Sequence, residues 1–427
     1  MNIWLIQTGE PIPITSDVKR MRTALLAYKL VEKGHKVYWW VSGFDHAKKE
    51  WIFKRDGKYH LDEGIEIISM SGIGYRKNIS FSRLLDHRLV SLKFSRLANK
   101  EQTPDLIVAS MPPHDLAYKV SIFAERWNIP LIVDIRDTWP EIFLTVVKSP
   151  FKALIKKALW REFYMTRKAM QNADGLIAPT ESFLEWGLKH AKRTKSLLDK
   201  VFYLGYKKGI KLNEEAARLR FPDLVEFLSD KFIVYYVGTL SQSYHNPSII
   251  IDAAEMLISN SSIHFIISGD GELYEELQKK AKKTANVTMT GWLNHSEMEY
   301  ILNNSAVGVC PCTKSIDIPT NKVFAYASVG LPIITSFSGE LTSLITKNNM
   351  GFYYKPKDVN SLVDHIQILF NDHELYHKMS INSKRIYNDI FDAEIIYDDY
   401  ADHLISTIKY LTSLVSGYNS TSFNCLE

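Results

Sequence analysis

Short apolar runs alternate with amphipathic stretches along the chain. NIWLIQT (2–8) has the pattern of a strand, and KRMRTALLAYKLVEKG (19–34) spaces Leu25, Leu26, Tyr28, Leu30 and Val31 along one helix face. HKVYWWVS (35–42) is a strand after a glycine stop; DLIVASM (105–111), PLIVDIRD (130–137) and ADGLIAPT (173–180) continue the series, with a helix over 115–128. Strands alternating with helices predict right-handed βαβ units and a parallel sheet. Near-continuous apolar strands such as LIVAS and LIVDI suit a sheet covered on both faces.

The alternation restarts after residue 200, in FIVYYVGT (232–239), SIIIDAAEML (248–257), IHFIISGDG (263–271), GELYEELQKKAKK (271–283), NVTMTGWL (286–293), SEMEYILNNS (296–305), AVGVCPC (306–312) and LPIITSF (331–337). The expected class is α/β: two doubly wound, Rossmann-like domains, residues 1–200 and 201–389, facing across a cleft. The polar residues 416–427 are expected to form a flexible tail. Open α/β sheets bind ligands at the carboxyl ends of their strands, so the turns after strands are the places to examine.

Composition narrows this picture without changing it. The 427 residues, 46% hydrophobic and 23% charged, suit a soluble globular chain of two large domains. The N-terminus enters strand-like sequence at once, so no signal peptide is expected, and no window is long and apolar enough to span a membrane. Cys310 and Cys312 lie in an apolar run without metal-ligand spacing, which predicts reduced, buried thiols and a reducing cytoplasm. Charge is uneven: residues 1–200 hold 33 basic and 22 acidic residues, a net of +11, and the remainder 19 and 26, a net of −7. A basic first half attracts pyrophosphates or anionic lipid. No nucleic-acid module is present, and nucleic acid is not an expected partner.

Several turns carry candidate chemistry. Gly238 and Thr239 follow FIVYYV where a helix start would favour an anion, though a plain βα turn looks the same. SGDGEL (268–273) lacks the spacing of a dinucleotide fingerprint. Trp292 and Leu293 follow another strand; the indole could stack on a base or sit on a rim. Thr320, Asn321 and Lys322 collect a hydroxyl, an amide and an ammonium at a helix start, which favours phosphate. His114, in MPPHD after a strand, lies where a ligand would lie. DIRDTWPE (134–141) suggests a buried Asp–Arg pair more than catalysis. No hydrolase signature, P-loop or metal cluster appears.

QTGEP…RMRTALLAYKLVEKGHKVYWW, DIRDTWPE, VGTLSQSYHN, SGDGEL, GWLNHSEM and PTNKVFAYASVGLPII, in this order, resemble the retaining glycosyltransferases of family 4, with the GT-B fold, over roughly residues 1–400. The likeness is strongest to bacterial enzymes of O-antigen and capsule assembly. It implies a C-terminal lobe for a nucleotide sugar, commonly UDP-linked, and an N-terminal lobe for a lipid-pyrophosphate-linked saccharide. The last helices, about 390–415, would complete the first lobe. No metal or other cofactor is implied.

By position, His114 would meet the donor sugar or developing charge, and Asp317 would hydrogen-bond sugar hydroxyls. Gly238, Thr239, Thr320, Asn321 and Lys322 would hold the diphosphate, while Trp292 and Leu293 would line the base pocket. Gly9, Glu10 and Asp137 would stand on the acceptor side. Two departures are visible. Ala325 stands where the family has a Glu that grips both ribose hydroxyls. TLSQSYHN lacks the Arg and Lys often found after the glycine, a gap that Lys322 or His245 could fill. Ala325 keeps open a non-catalytic scaffold; an epimerase on this fold lacks an evident acid/base pair.

KSPFKALIKKALWREFYMTRKAM (148–170) and NISFSRLLDHRLVSLKFSRLANK (78–100) mix basic residues with aromatics. They predict a peripheral protein on an anionic membrane surface, on the inner face of the cytoplasmic membrane.

Overall fold

Strand runs that are apolar on both faces become buried parallel strands in each half of the chain. The computed structural model describes all residues except 16–17, 47, 77–79, 142–143, 145–146, 148, 209–219, 222–227, 243–245 and 422–427, and the side chains of 415–421. Its contacts divide it into two units, Met1–Tyr203 with Tyr397–Glu427, and Leu204–Ile396.

The first unit contains β1 (Asn2–Ile6), α1 (Arg22–Glu32), β2 (Lys36–Ser42), a small hairpin of β3 (Phe44–Asp45) and β4 (Glu50–Trp51), β5 (Gly57–Asp62), β6 (Ile65–Met70), α2 (Phe81–Leu97), β7 (Leu106–Met111), α3 (His114–Trp127), β8 (Leu131–Ile135), α4 (Lys152–Ala158), α5 (Trp160–Gln171), β9 (Gly175–Ala178), α6 (Glu181–Ala191) and β10 (Lys200–Val201). The sheet order is β10-β9-β8-β7-β1-β2-β6-β5, with only β5 antiparallel to its neighbour. The order reverses between β1 and β7. Trp4 and Trp40 pack at 4.8 Å between ring centres, with Phe94 and Phe123 completing an aromatic core. The β5–β6 pair was not predicted. GKYHLD alternates exposed and half-buried positions on a sheet edge, so its hydrophobic signal is weak.

The second unit contains β11 (Phe232–Val237), α7 (Ser248–Met256), β12 (Ile263–Ser268), α8 (Tyr274–Ala281), β13 (Val287–Gly291), α9 (His295–Asn303), β14 (Val307–Cys310), α10 (Asn321–Ser328), β15 (Ile333–Thr335), α11 (Glu340–Lys347), β16 (Gly351–Tyr353), α12 (Val359–Asn371) and α13 (His373–Ile386). Its parallel sheet runs β13-β12-β11-β14-β15-β16, the dinucleotide-fold order 3-2-1-4-5-6. The reversal lies between β11 and β14. The last helix, α14 (Ala393–Thr421), enters the first unit at Tyr397. It carries through 416–421, where a flexible tail was expected. Extending a formed helix costs little once its nucleus exists, even through Gly417. Among the described residues no helix is long and apolar enough to cross a membrane.

Candidate functional site

The second sheet opens at its reversal because β11 and β14 pair only briefly, Val234 with Val307 and Tyr235 with Gly308. Tyr326 of α10 spans the parting strands. Its hydroxyl accepts the Val237 N–H at 3.2 Å and lies 3.2 and 3.3 Å from the carbonyls of Tyr235 and Val309. Gly308 makes room for this ring: a Cβ there would stand 2.3 Å from it. Tyr326 and Gly308 were missed in the sequence, where a glycine in a strand and a tyrosine in a helix carry no mark of their pairing.

At the end of β11 the backbone of Gly238 has φ +154°, and a Cβ would meet Lys322 at 2.5 Å from Cε and 2.8 Å from Nζ. Gly238 and Lys322, 84 positions apart in the chain, are therefore in contact. The ammonium also stands 5.3 Å from the Tyr236 ring centre. Among the described residues no hydrogen bond or carboxylate reaches it, and burial lowers its pKa. Thr320 is buried and its side chain caps no N–H of α10, while Asn321 is exposed beside it. An uncompensated ammonium, a helix N-terminus and a glycine without a side chain thus converge at the switch point. That combination suits a phosphate or diphosphate.

The other predicted positions divide. Thr239 is exposed, and its carbonyl accepts the Tyr236 hydroxyl at 2.9 Å. Asp317 is half-buried: its carboxylate fills the space beside Gly339, 2.0 Å from where a Cβ would be, at the start of α11. A helix N-terminus favours a carboxylate there. Trp292 is 65% exposed and Leu293 buried; Arg220 donates to the Trp292 carbonyl at 2.8 Å and pairs with Glu297. Ala325 is buried, and α10 carries no acidic residue. His245 lies outside the described residues. Gly269 and Gly271 serve packing. A Cβ on them would stand 1.8 and 2.3 Å from the carbonyl oxygens of Gly238 and Leu240, so the β12 turn can rest on the β11 turn only as glycine. Cys310 and Cys312 are free, buried thiols, and burial pushes Cys310 up to about 12.

In the first unit, Arg22 and Arg136 both pair with buried Asp134, at 3.1 and 2.8 Å, and Arg136 also meets Glu10 at 2.5 Å. The second carboxylate oxygen of Glu10 accepts the Thr23 N–H. DIRD therefore supplies a buried ion-pair network, and Glu10 belongs to it. Gly9 is exposed beside it. Asp137 is half-buried, its pKa raised by burial, and it accepts the Thr138 N–H. His114 begins α3 with no exposure; its Nδ1 has no hydrogen-bond partner and its Nε2 lies 3.3 Å from the Asp115 carboxylate, while burial lowers its pKa to about 4, so the imidazole is neutral at pH 7. Of the basic aromatic stretch, Phe163 is buried, whereas Phe151, Leu154 and Trp160 are exposed and α4 buries no residue. Among the described residues no cluster of metal-ligand side chains is present.

Residues 222–386 match the family described as glycosyl transferases group 1, and the match covers most of the second unit. Over these residues the second unit is similar to that family. Over 181 residues the chain is 29% identical to "O-antigen chain mannosyltransferase C" of Escherichia coli, covering 42% of this chain and 47% of that protein. Over 216 residues it is 26% identical to "GalNAc-alpha-(1->4)-GalNAc-alpha-(1->3)-diNAcBac-PP-undecaprenol alpha-1,4-N-acetyl-D-galactosaminyltransferase" of Campylobacter jejuni, covering 49% of this chain and 58% of that protein. The chain thus spans about half the length of these curated relatives. Among solved structures, Anabaena HepE in complex with UDP aligns with a TM-score of 0.65 at 16% identity, covering 95% of this chain and 99% of that one. WaaG, a glycosyltransferase involved in lipopolysaccharide biosynthesis, aligns with a TM-score of 0.62 at 14% identity, covering 94% and 99%. These likenesses establish the GT-B fold. In the second unit, Gly238 and Lys322 stand at the switch point, where open sheets of this order bind ligands.

Proposed function

We propose that the chain transfers a sugar from a nucleotide-sugar donor, UDP-linked, to a lipid-linked saccharide during surface-polysaccharide assembly, with retention of anomeric configuration and without a metal. The observation that carries this reading is the uncompensated Lys322 ammonium against Gly238 at the start of α10. As the bond from the sugar C1 to the diphosphate breaks, its electron pair goes to phosphate oxygen. Lys322 and the first N–H groups of α10 stabilise that charge. The acceptor oxygen bonds to C1 on the same face, and its proton passes to the leaving phosphate. Such fixed charge at the developing anion is electrostatic catalysis. Relatives named for O-antigen mannose and undecaprenol-linked GalNAc support the acceptor class, and the UDP complex of HepE supports the donor class.

The exposed Phe151, Leu154 and Trp160, interleaved with Lys152, Lys156, Lys157 and Arg161, support peripheral attachment to an anionic membrane surface on its cytoplasmic side. Lys156→Glu and Trp160→Ala are expected to release the protein from phosphatidylglycerol vesicles in co-sedimentation; equal binding to phosphatidylcholine would refute the attachment.

A second reading, a non-catalytic scaffold on the same fold, is favoured by buried Ala325 and the absence of any carboxylate on α10. Calorimetric titration with a panel of nucleotide sugars, followed by assay of the bound donor with lipid-linked acceptors, separates the two. Donor binding with transfer, and an α-to-α or β-to-β outcome by NMR, supports the transferase. Donor binding restored only by Ala325→Glu, or no binding by either form, would sink the catalytic reading.

A further inference from the structure

The first unit carries a second recess at the ligand end of its sheet. The turn after β2 forms the β3–β4 hairpin, and the turn after β6 leads to α2, so both loops leave the carboxyl ends of parallel strands. Between them is a recess of about 550 Å³ lined by Phe44, Lys49, Trp51, Ile73, Tyr75 and Arg76. This is within the ordinary size of a ligand pocket. Phe44 is its aromatic hub, with the Trp51 ring at 5.3 Å and the Tyr75 ring at 5.1 Å.

The lining is preorganised. Asp86 of α2 accepts the N–H groups of Ile73 and Gly74, both at 2.8 Å. Gly74, at φ +71°, lets the loop close on the rings, since a Cβ would stand 3.0 Å from Phe44 and 3.3 Å from Trp51. His46 meets the Tyr75 hydroxyl at 2.6 Å. Cations gather on the same rings. The Lys49 ammonium stands 4.8 Å from the Tyr75 ring centre, and the Arg83 guanidinium 5.6 Å from it. Burial and mutual repulsion lower the pKa of Lys49, and burial that of Arg83. The facing carboxylates are Asp45, which accepts the Lys48 N–H at 3.0 Å, Asp137, which acts on Arg83, and Asp86, which the loop N–H groups occupy. Two buried, neutral imidazoles, His87 and His114, stand 6.3 and 6.1 Å from the Trp139 ring centre, and the Nδ1 of each has no hydrogen-bond partner.

We infer that this recess binds an anionic saccharide: a sugar ring against Trp51 and Tyr75, and a carboxylate or phosphate on that sugar against Lys49 and Arg76. Flat rings take the apolar face of a sugar, and clustered cations in a partly dry site give an anion a strong partner. The inference rests on the reading of the first unit as the acceptor side and names the chemical class of that acceptor.

The test uses the full chain. Calorimetric titration with a glucuronic-acid disaccharide, a hexose 1-phosphate and a neutral disaccharide distinguishes carboxylate from phosphate and either from a plain sugar. At least one anionic probe is expected to bind tenfold or more tightly than the neutral one. Lys49→Met, Arg76→Gln and Trp51→Ala should each lower that affinity about tenfold, and Trp51→Phe should restore most of it, which separates loss of the ring from loss of the fold. UDP titration of the same variants is expected to be unchanged, so a failed donor reading and a failed acceptor subsite give different results. Equal binding of the neutral probe, no binding of either anionic probe, or indifference to all three variants overturns the inference.

Discussion

Replacing Lys322 by Met removes one charge and keeps most of the side-chain volume. Two effects of opposite sign follow. The free protein loses an ammonium whose pKa is lowered by burial and which no carboxylate among the described residues compensates, so the variant should be no less stable than the parent without ligand. Bound diphosphate loses a charge-assisted hydrogen bond, worth about 1.5–3 kcal/mol, or roughly 10- to 150-fold in Kd. At UDP equal to 100 times the parent Kd, binding stabilises the parent by about 2.7 kcal/mol; a ~30-fold weaker variant retains about 0.9 kcal/mol. For a domain the size of the second unit, that corresponds to a Tm shift of roughly 5–11 °C in the parent against about 2–3 °C in the variant. Differential scanning fluorimetry with UDP, UMP and uridine reads both effects. UMP should distinguish parent from variant less than UDP does. Because the folded pKa of Lys322 lies below its unfolded value, its ammonium is lost at lower pH than an exposed lysine's. UDP affinity should therefore fall as pH rises through that lowered pKa. Equal UDP affinity in parent and variant, or an affinity that rises over the same range, would refute the placement of diphosphate on Lys322.

Other outcomes follow from the same geometry. Gly269→Ala puts a methyl 1.8 Å from the Gly238 carbonyl oxygen, backbone that cannot yield, and should destabilise the second unit by about 2 kcal/mol or more by chemical denaturation. Asp134→Asn leaves Arg22 and Arg136 without their shared charge and should cost about 3–5 kcal/mol in the first unit's stability, with UDP binding unaffected. His87 and His114 are held by burial at about 3 and about 4. Their folded pKa values lie below the unfolded value near 6.5, so the unfolded chain takes up protons first. Their stabilisation is complete above that value and is lost as pH falls toward 4. Denaturant midpoints of the first unit should drop over this window, and less so in His87→Gln.

Much of the second unit was legible. Apolar runs broken by helical spacing located every strand from β11 to β15 and the helix beginning at Asn321; β11, β12, β14 and β15, buried along nearly their whole length, leave an unbroken hydrophobic signal. PTNK marked the start of α10 from residue types alone. The edge strands β5 and β16 were not legible, because half-exposed or very short strands bury too little to leave a pattern.

The sequence by itself determined the two doubly wound halves, the turns that end their strands and the alanine at 325. These are local properties: periodicity, turn chemistry and the identity of one side chain. Tertiary structure decided which distant groups meet. It laid Lys322 against Gly238, fitted the Tyr326 ring into the space left by Gly308, set Asp317 beside Gly339 and gathered Phe44, Trp51 and Tyr75 around one recess. Such contacts depend on strand order and on how close two backbones come, and neither is written in the spacing of residues along the chain.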